Sequence, residues 1–124
     1  MINVVLADDH VLVRDGIKAL LEDQTGITVI DEASNGKEAL EVISKNKPHV
    51  LIVDIRMPEM NGIEVVAEIT KNKIGVKTLV LSMHDSEEYV VKSIQAGADG
   101  YLLKGASKDE FLKAVYKVAE GGKY

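Results

Sequence analysis

Cysteine is absent from the 124 residues, which excludes disulfides and thiolate metal sites and fits a reducing compartment. No apolar run approaches the roughly 18–20 residues of a membrane span. Residues 1–8 hold no basic stretch of the kind that opens a secretory signal. A cytoplasmic protein without a membrane segment is the expectation. Positive charge is in deficit too: 15 Lys and Arg stand against 20 Asp and Glu, a net charge of −5. The basic residues are scattered, so the chain itself offers no phosphate-facing surface for nucleic acid. Neither GxGxxG nor GxxxxGK(S/T) occurs, and these are the common backbone cradles for nucleotide phosphates.

Apolar residues make up 46% of the chain, enough for one domain with its own core. They are concentrated in four solid segments: VVLA (4–7), VLIV (50–53), TLVLS (78–82) and YLL (101–103). A fifth, ITVIDEA (27–33), alternates in part and predicts a strand nearer an edge. Short continuous runs rich in β-branched residues suit strands buried on both faces, as in parallel sheets. Helical spacing fills the intervals. Val13, Ile17, Leu20 and Leu21 share a face; so do Val90 and Ile94, and Phe111, Val115 and Val118.

The punctuation between segments agrees. Asn35-Gly36 and EMNG (59–62) each precede a helical run. Gly97 is placed to close a helix, and Asp99-Gly100 turns into the next strand. SKDE (107–110) predicts a capping box, with Ser107 at the N-cap and Glu110 three residues on. The pattern is β-α repeated five times: one doubly wound, flavodoxin-like α/β domain with a parallel sheet of order 2-1-3-4-5.

Functional groups in such sheets gather beyond the C-terminal strand ends, at the point where strand order reverses. Those ends carry Asp8 and Asp9 after the first strand, Asp54 after the third, Ser82 after the fourth and Lys104 after the fifth. Any one of them has an ordinary explanation. An Asp before a helix is usually a cap, and a Lys at a strand end is usually solvated. The conjunction is what points to a site. Three carboxylates in one crevice need a cation, and Mg²⁺ (or Mn²⁺) takes one or two carboxylates while keeping several waters. A divalent ion, an ammonium and a hydroxyl around Asp54 make a receptor for a phosphoryl group, with Asp54 as nucleophile.

At these residues the chain resembles the receiver domain of bacterial two-component response regulators, over essentially its whole length. The resemblance is carried by ADDH, VDIRMPEMNG, LSMH and GYLLKGAS. ADDHVLVRDGI and GADGYLLKGAS are further similar to the NarL/LuxR-type subfamily, which joins a receiver to a helix-turn-helix DNA-binding domain. The resemblance implies that residues 1–124 are the receiver (phosphoacceptor) domain, with the output domain missing from them. Asp54 would accept phosphoryl from a phosphohistidine on a sensor histidine kinase. Asp9, the Asp54 carboxylate and the Arg56 backbone carbonyl would ligate Mg²⁺, with Asp8 acting through water. Ser82 and Lys104 would hold phosphoryl oxygens, Tyr101 would be the switch aromatic, and Pro58 and Gly62 would shape the loop after Asp54. The protein would not be an enzyme beyond its own phosphorylation and dephosphorylation. A homodimer on phosphorylation would use either the first and fifth helices or the face of the fourth helix, fifth strand and fifth helix.

Two departures from the family pattern stand out. Gly105 replaces the proline that usually follows the strand 5 lysine, which leaves the isomer of that bond open: a cis bond without proline costs ~3 kcal/mol. Met83 occupies a position that is often small, and is expected to crowd the phosphoryl site. Arg56 and His84, each two residues beyond a site residue, are expected to border the phosphoryl group and tune its hydrolysis. His10 and His49 are weaker candidates. A phosphatase with an aspartyl nucleophile is the main rival, but it wants an acid two residues after the nucleophile. Arg56 stands there instead.

Overall fold

In the computed structural model, which describes residues 1–83 and 87–124, strands and helices alternate from end to end. They are β1 (Ile2–Ala7), α1 (Val11–Glu22), β2 (Ile27–Ala33), α2 (Gly36–Asn46) and β3 (Val50–Asp54). There follow α3 (Gly62–Lys71), β4 (Lys77–Ser82), α4 (Glu87–Ala96), β5 (Gly100–Leu103) and α5 (Lys108–Ala119). The five strands form one parallel sheet of order β2-β1-β3-β4-β5. The order reverses between β1 and β3, as the sequence pattern predicts.

The continuous apolar strands are explained by burial on both faces. Every residue of β3 is buried, and the pleat sends alternate side chains to two cores. Val5, Leu51, Val53 and Val80 meet α2 and α3 through Ile43, Val66 and Ile69. Val4, Leu6, Ile52 and Leu81 meet α5 through Phe111, Val115 and Val118, and α1 through Leu21. β2, an edge strand, buries only Ile27 and Ala33 at its ends and leaves the residues between them exposed or half-buried.

Helix starts follow local chemistry. Asn35 accepts the Glu38 N–H (2.8 Å). Asn61 and Glu64 form a full capping box (2.9 and 3.0 Å). Gly97 closes α4 at φ +104°, a conformation open to glycine. Two expectations need correction. Ser107 accepts the Glu110 N–H at 3.2 Å, but the Glu110 carboxylate accepts the Tyr124 hydroxyl (3.4 Å) instead of completing the box. In α4, Val90 and Ile94 do not form the buried face. Ile94 is 63% exposed, and the helix turns Tyr89 and Ala96 toward the core and buries Ser93. Apolar spacing locates one face of a helix without telling whether the core or the solvent receives it.

Candidate functional site

The strand ends bring the expected residues together. Asp8 and Asp54, both with side chains about 5% exposed or less, share the Lys104 ammonium at 3.0 and 3.1 Å. Lys104 reaches them because the parallel sheet brings the C-terminal ends of β1, β3 and β5 to one edge, and its backbone N–H is fixed to the Ser82 carbonyl at 2.9 Å. No cis peptide occurs among the described residues, so the Lys104–Gly105 bond is trans. Ser82 is buried at the end of β4.

Asp9 is the more exposed of the acidic pair, its side chain 33% exposed against 4% for Asp8. Its carboxylate lies 3.0 Å from His10 Nδ1, which is also 3.4 Å from Asp8. Neither Asp caps α1. The N-cap is His10, which makes no side-chain cap bond, while Asp8 accepts the His10 backbone N–H at 2.9 Å. The capping explanation for the acidic pair is therefore not the one the fold uses. His49 lies elsewhere, accepting the Asn3 N–H (2.9 Å).

The electrostatics are those of a crowded and largely buried anion cluster. Burial raises the Asp54 carboxyl above the ordinary carboxylate range, and the Asp8 charge adds to this. Lys104 and a backbone hydrogen bond from Arg56 offset part of it. Burial works against the Lys104 ammonium, but its bonds and charge contacts with Asp8 and Asp54 prevail and raise it above the ordinary lysine value. One ammonium among three carboxylates leaves about two negative charges, which a divalent cation would balance. Ligand atoms of Asp8, Asp9, His10 and Asp54 all lie within 4.8 Å of one another, so the donor set fits a hard metal ion with carboxylate ligands.

The loop after Asp54 is tightly built. The Gly62 N–H donates to the Ile55 carbonyl (2.9 Å) and the Met60 N–H to the Pro58 carbonyl (2.7 Å). Glu59 sits at φ +68°. A side chain at Gly62 would run into the Asp54 carbonyl, so that position has no room for one. Arg56 and Pro58 are exposed. Arg56 and Met83 line a cavity of about 430 Å³ around Asp54, Ser82 and Lys104. Met83, though 73% exposed, is one of the residues lining that cavity. Tyr101 is half-buried against the α2–α3 core. His84 lies outside the described residues. One partner of the site escaped the sequence reading: Arg14 in the first turns of α1 donates to the Asp8 backbone carbonyl at 2.6 Å. A bond to a main-chain oxygen leaves no residue-type signature at its acceptor.

Fold and crevice define a class, the flavodoxin-like domains with an acidic, lysine-bridged pocket at the sheet's switch point. Within that class the chain belongs to the response regulator receiver domains, whose family model matches residues 4–116. It is 42% identical over 124 residues to the response regulator UvrY of Escherichia coli (strain K12), covering 100% of this chain and 57% of the relative. The signal receiver domain of a NarL response regulator from Mycobacterium tuberculosis superposes with a TM-score of 0.94 at 38% identity, covering 97% of both chains. A LuxR-family response regulator from Aurantimonas sp. SI85-9A1 gives the same TM-score at 28% identity, over 99% of this chain and 88% of that one. The chain thus sits in the NarL/LuxR-type branch. It spans about half the length of the curated relatives it matches, 52–58%. Receiver domains are phosphorylation-activated signalling switches of two-component systems that interact with histidine kinases and bind Mg²⁺ at an acidic pocket. No helix among the described residues is long and apolar enough to cross a membrane.

Proposed function

We propose that Asp54 is the phosphoacceptor of this receiver, and that the protein acts in the cytoplasm with a sensor histidine kinase as donor. The supporting observation is the Lys104 ammonium held between Asp8 and Asp54 at 3.0 and 3.1 Å in a buried crevice. An Asp54 oxygen attacks the phosphorus of a phosphohistidine. The P–N bond breaks, the imidazole nitrogen takes the electron pair and later a proton, and an acyl phosphate remains on Asp54. Lys104 and Ser82 stabilise the phosphoryl oxygens. Asp9, the Asp54 carboxylate and the Arg56 carbonyl would hold Mg²⁺ or Mn²⁺, with Asp8 acting through water. The ion supplies charge neutralisation at the transferring oxygens.

The new group carries a charge of about −1.5 to −2 and draws the Ser82 hydroxyl toward it. Tyr101 then turns into the vacated space, and the surface of α4, β5 and α5 changes. Moving a two-state switch from 1:99 to 99:1 needs ~5.5 kcal/mol, and one charge-assisted hydrogen bond gives ~1.5–3 kcal/mol. Tyr101 packing or dimerisation supplies the rest. The output is a helix-turn-helix DNA-binding domain of a longer protein.

Intact mass after incubation with Mg²⁺ and acetyl phosphate tests the acceptor. One Mg²⁺-dependent phosphoryl adduct is expected, and none on Asp54→Asn. An adduct that survives in the variant would reassign the acceptor. The same assay on Met83→Ala is expected to run faster, and an equal rate would remove Met83 from the site.

A further inference from the structure

We infer that Arg14 is a positioning residue for the metal site, acting through the main chain that carries Asp8 and Asp9. The acidic pair lies beyond the end of β1 and before α1, in a turn whose helix has no side-chain cap. Two adjacent carboxylates in such a turn repel each other, and without a brace the turn would splay. Arg14 supplies the brace. Its Nη1 donates to the Asp8 carbonyl at 2.6 Å and reaches the Ala33 carbonyl at 3.5 Å, while its Nε donates to Glu32 Oε1 at 2.9 Å. The Ala33 carbonyl also accepts the Asp8 N–H (3.0 Å). Asp8 is thereby fixed at both its N–H and its C=O to the end of β2.

A guanidinium holds its donors in a fixed planar fork, here set to serve the Asp8 carbonyl and the Glu32 carboxylate together; an ammonium on a flexible stem is not pre-organised for that pair. The brace is half-buried, with side-chain exposures of 15% for Arg14 and 26% for Glu32. Lys18 also pairs with Glu32, through Oε2 at 3.2 Å, but no bond links it to Asp8. This separates two effects. If Arg14 acted only as positive charge near the acidic pair, Lys18 would act the same way. If it acts by holding the Asp8 backbone, only Arg14 matters to the metal.

This inference rests on the metal reading proposed above, and Mn²⁺ binding tests both. The probe is Mn²⁺ alone, with the free ion followed by electron paramagnetic resonance at a temperature where circular dichroism shows every variant folded. Arg14→Gln is expected to weaken Mn²⁺ binding about tenfold, the usual scale for losing a partner that orients a ligand. Arg14→Lys should fall in between, and Lys18→Gln should bind as wild type does. Glu32→Gln, a gentler change that keeps a hydrogen bond to Arg14, should weaken binding about two- to threefold, in the same direction. Wild-type affinity in Arg14→Gln, or equal weakening in Lys18→Gln, would overturn the positioning role while leaving the metal site standing. Absence of Mn²⁺ binding in the wild type would overturn the metal reading and this inference with it.

Discussion

Helices α4 and α5 lie on opposite faces of the sheet beside its edge strand β5, and they are attached to it in different ways. α5 buries Phe111, Ala114, Val115 and Val118 in one core, begins with a satisfied Ser107 cap, and turns charged residues outward. α4 buries only Ser93, whose hydroxyl has no hydrogen-bond partner among the described residues. Ile94 and Val91, which could have anchored it, are 63% and 44% exposed. A helix of the first kind loses its apolar contacts if it moves. A helix of the second kind, packed through the partly buried Tyr89 and Ala96, has less to lose. The difference is one of anchoring: the α5 flank of β5 is tied to its core by more buried apolar side chains than the α4 flank.

Substitution should reproduce this contrast. Phe111→Ala is expected to cost about 3–5 kcal/mol of unfolding free energy, whereas Ile94→Ala should stay within about 0.5 kcal/mol. Urea denaturation of the two variants checks this, and similar losses would break the comparison. A second, smaller effect sits at the crevice. Because burial raises the Asp54 carboxyl, its folded acidity is weaker than its unfolded acidity. Its stabilising term is then complete below the unfolded value of 3.8 and is lost as pH rises through the folded one. Asp54→Asn should therefore raise Tm by several degrees at neutral pH without metal, and the gain should fade toward about pH 4. Added Mg²⁺ should stabilise the wild type and leave the variant unchanged. A pH-independent gain would show that Asp54 charge is not its source. Smallest is Ser93→Ala, which removes a buried hydroxyl without a partner and should gain about 0.5–1 kcal/mol. Loss of stability instead would mean that the hydroxyl is satisfied and α4 is held more firmly than its contacts imply.

The same two helices show how far the sequence could be read. α5 was legible because Phe111, Val115 and Val118 recur at helical spacing and do face the core. For α4, Val90 and Ile94 recur equally well, but periodicity carries no information about which side the sheet lies on. The crevice was legible for a different reason. Parallel topology forces strand ends together, so Asp8, Asp54 and Lys104 could be placed before any contact was known. Arg14 and Glu32 could not. Their effect passes through the Asp8 carbonyl, an atom every residue has. Glu110 was misassigned because a carboxylate three residues after a cap has more than one donor to choose from, and here Tyr124 takes it.

The strand order has a consequence for synthesis. β1 pairs with β2 on one side and β3 on the other, and both partners follow it in the chain. While the protein emerges from the ribosome, β1-α1-β2 can assemble from the first 33 residues, but the second edge of β1 stays open until β3 has left the exit tunnel. From then on growth runs in one direction, with β4 and β5 each docking on the edge left by the strand before. An apolar strand with a free edge invites wrong pairing, so the hazard lies early. A nascent chain from which residue 33 has emerged but residue 50 has not presents VVLA unpaired on one side, and holding factors would have most to protect in that interval.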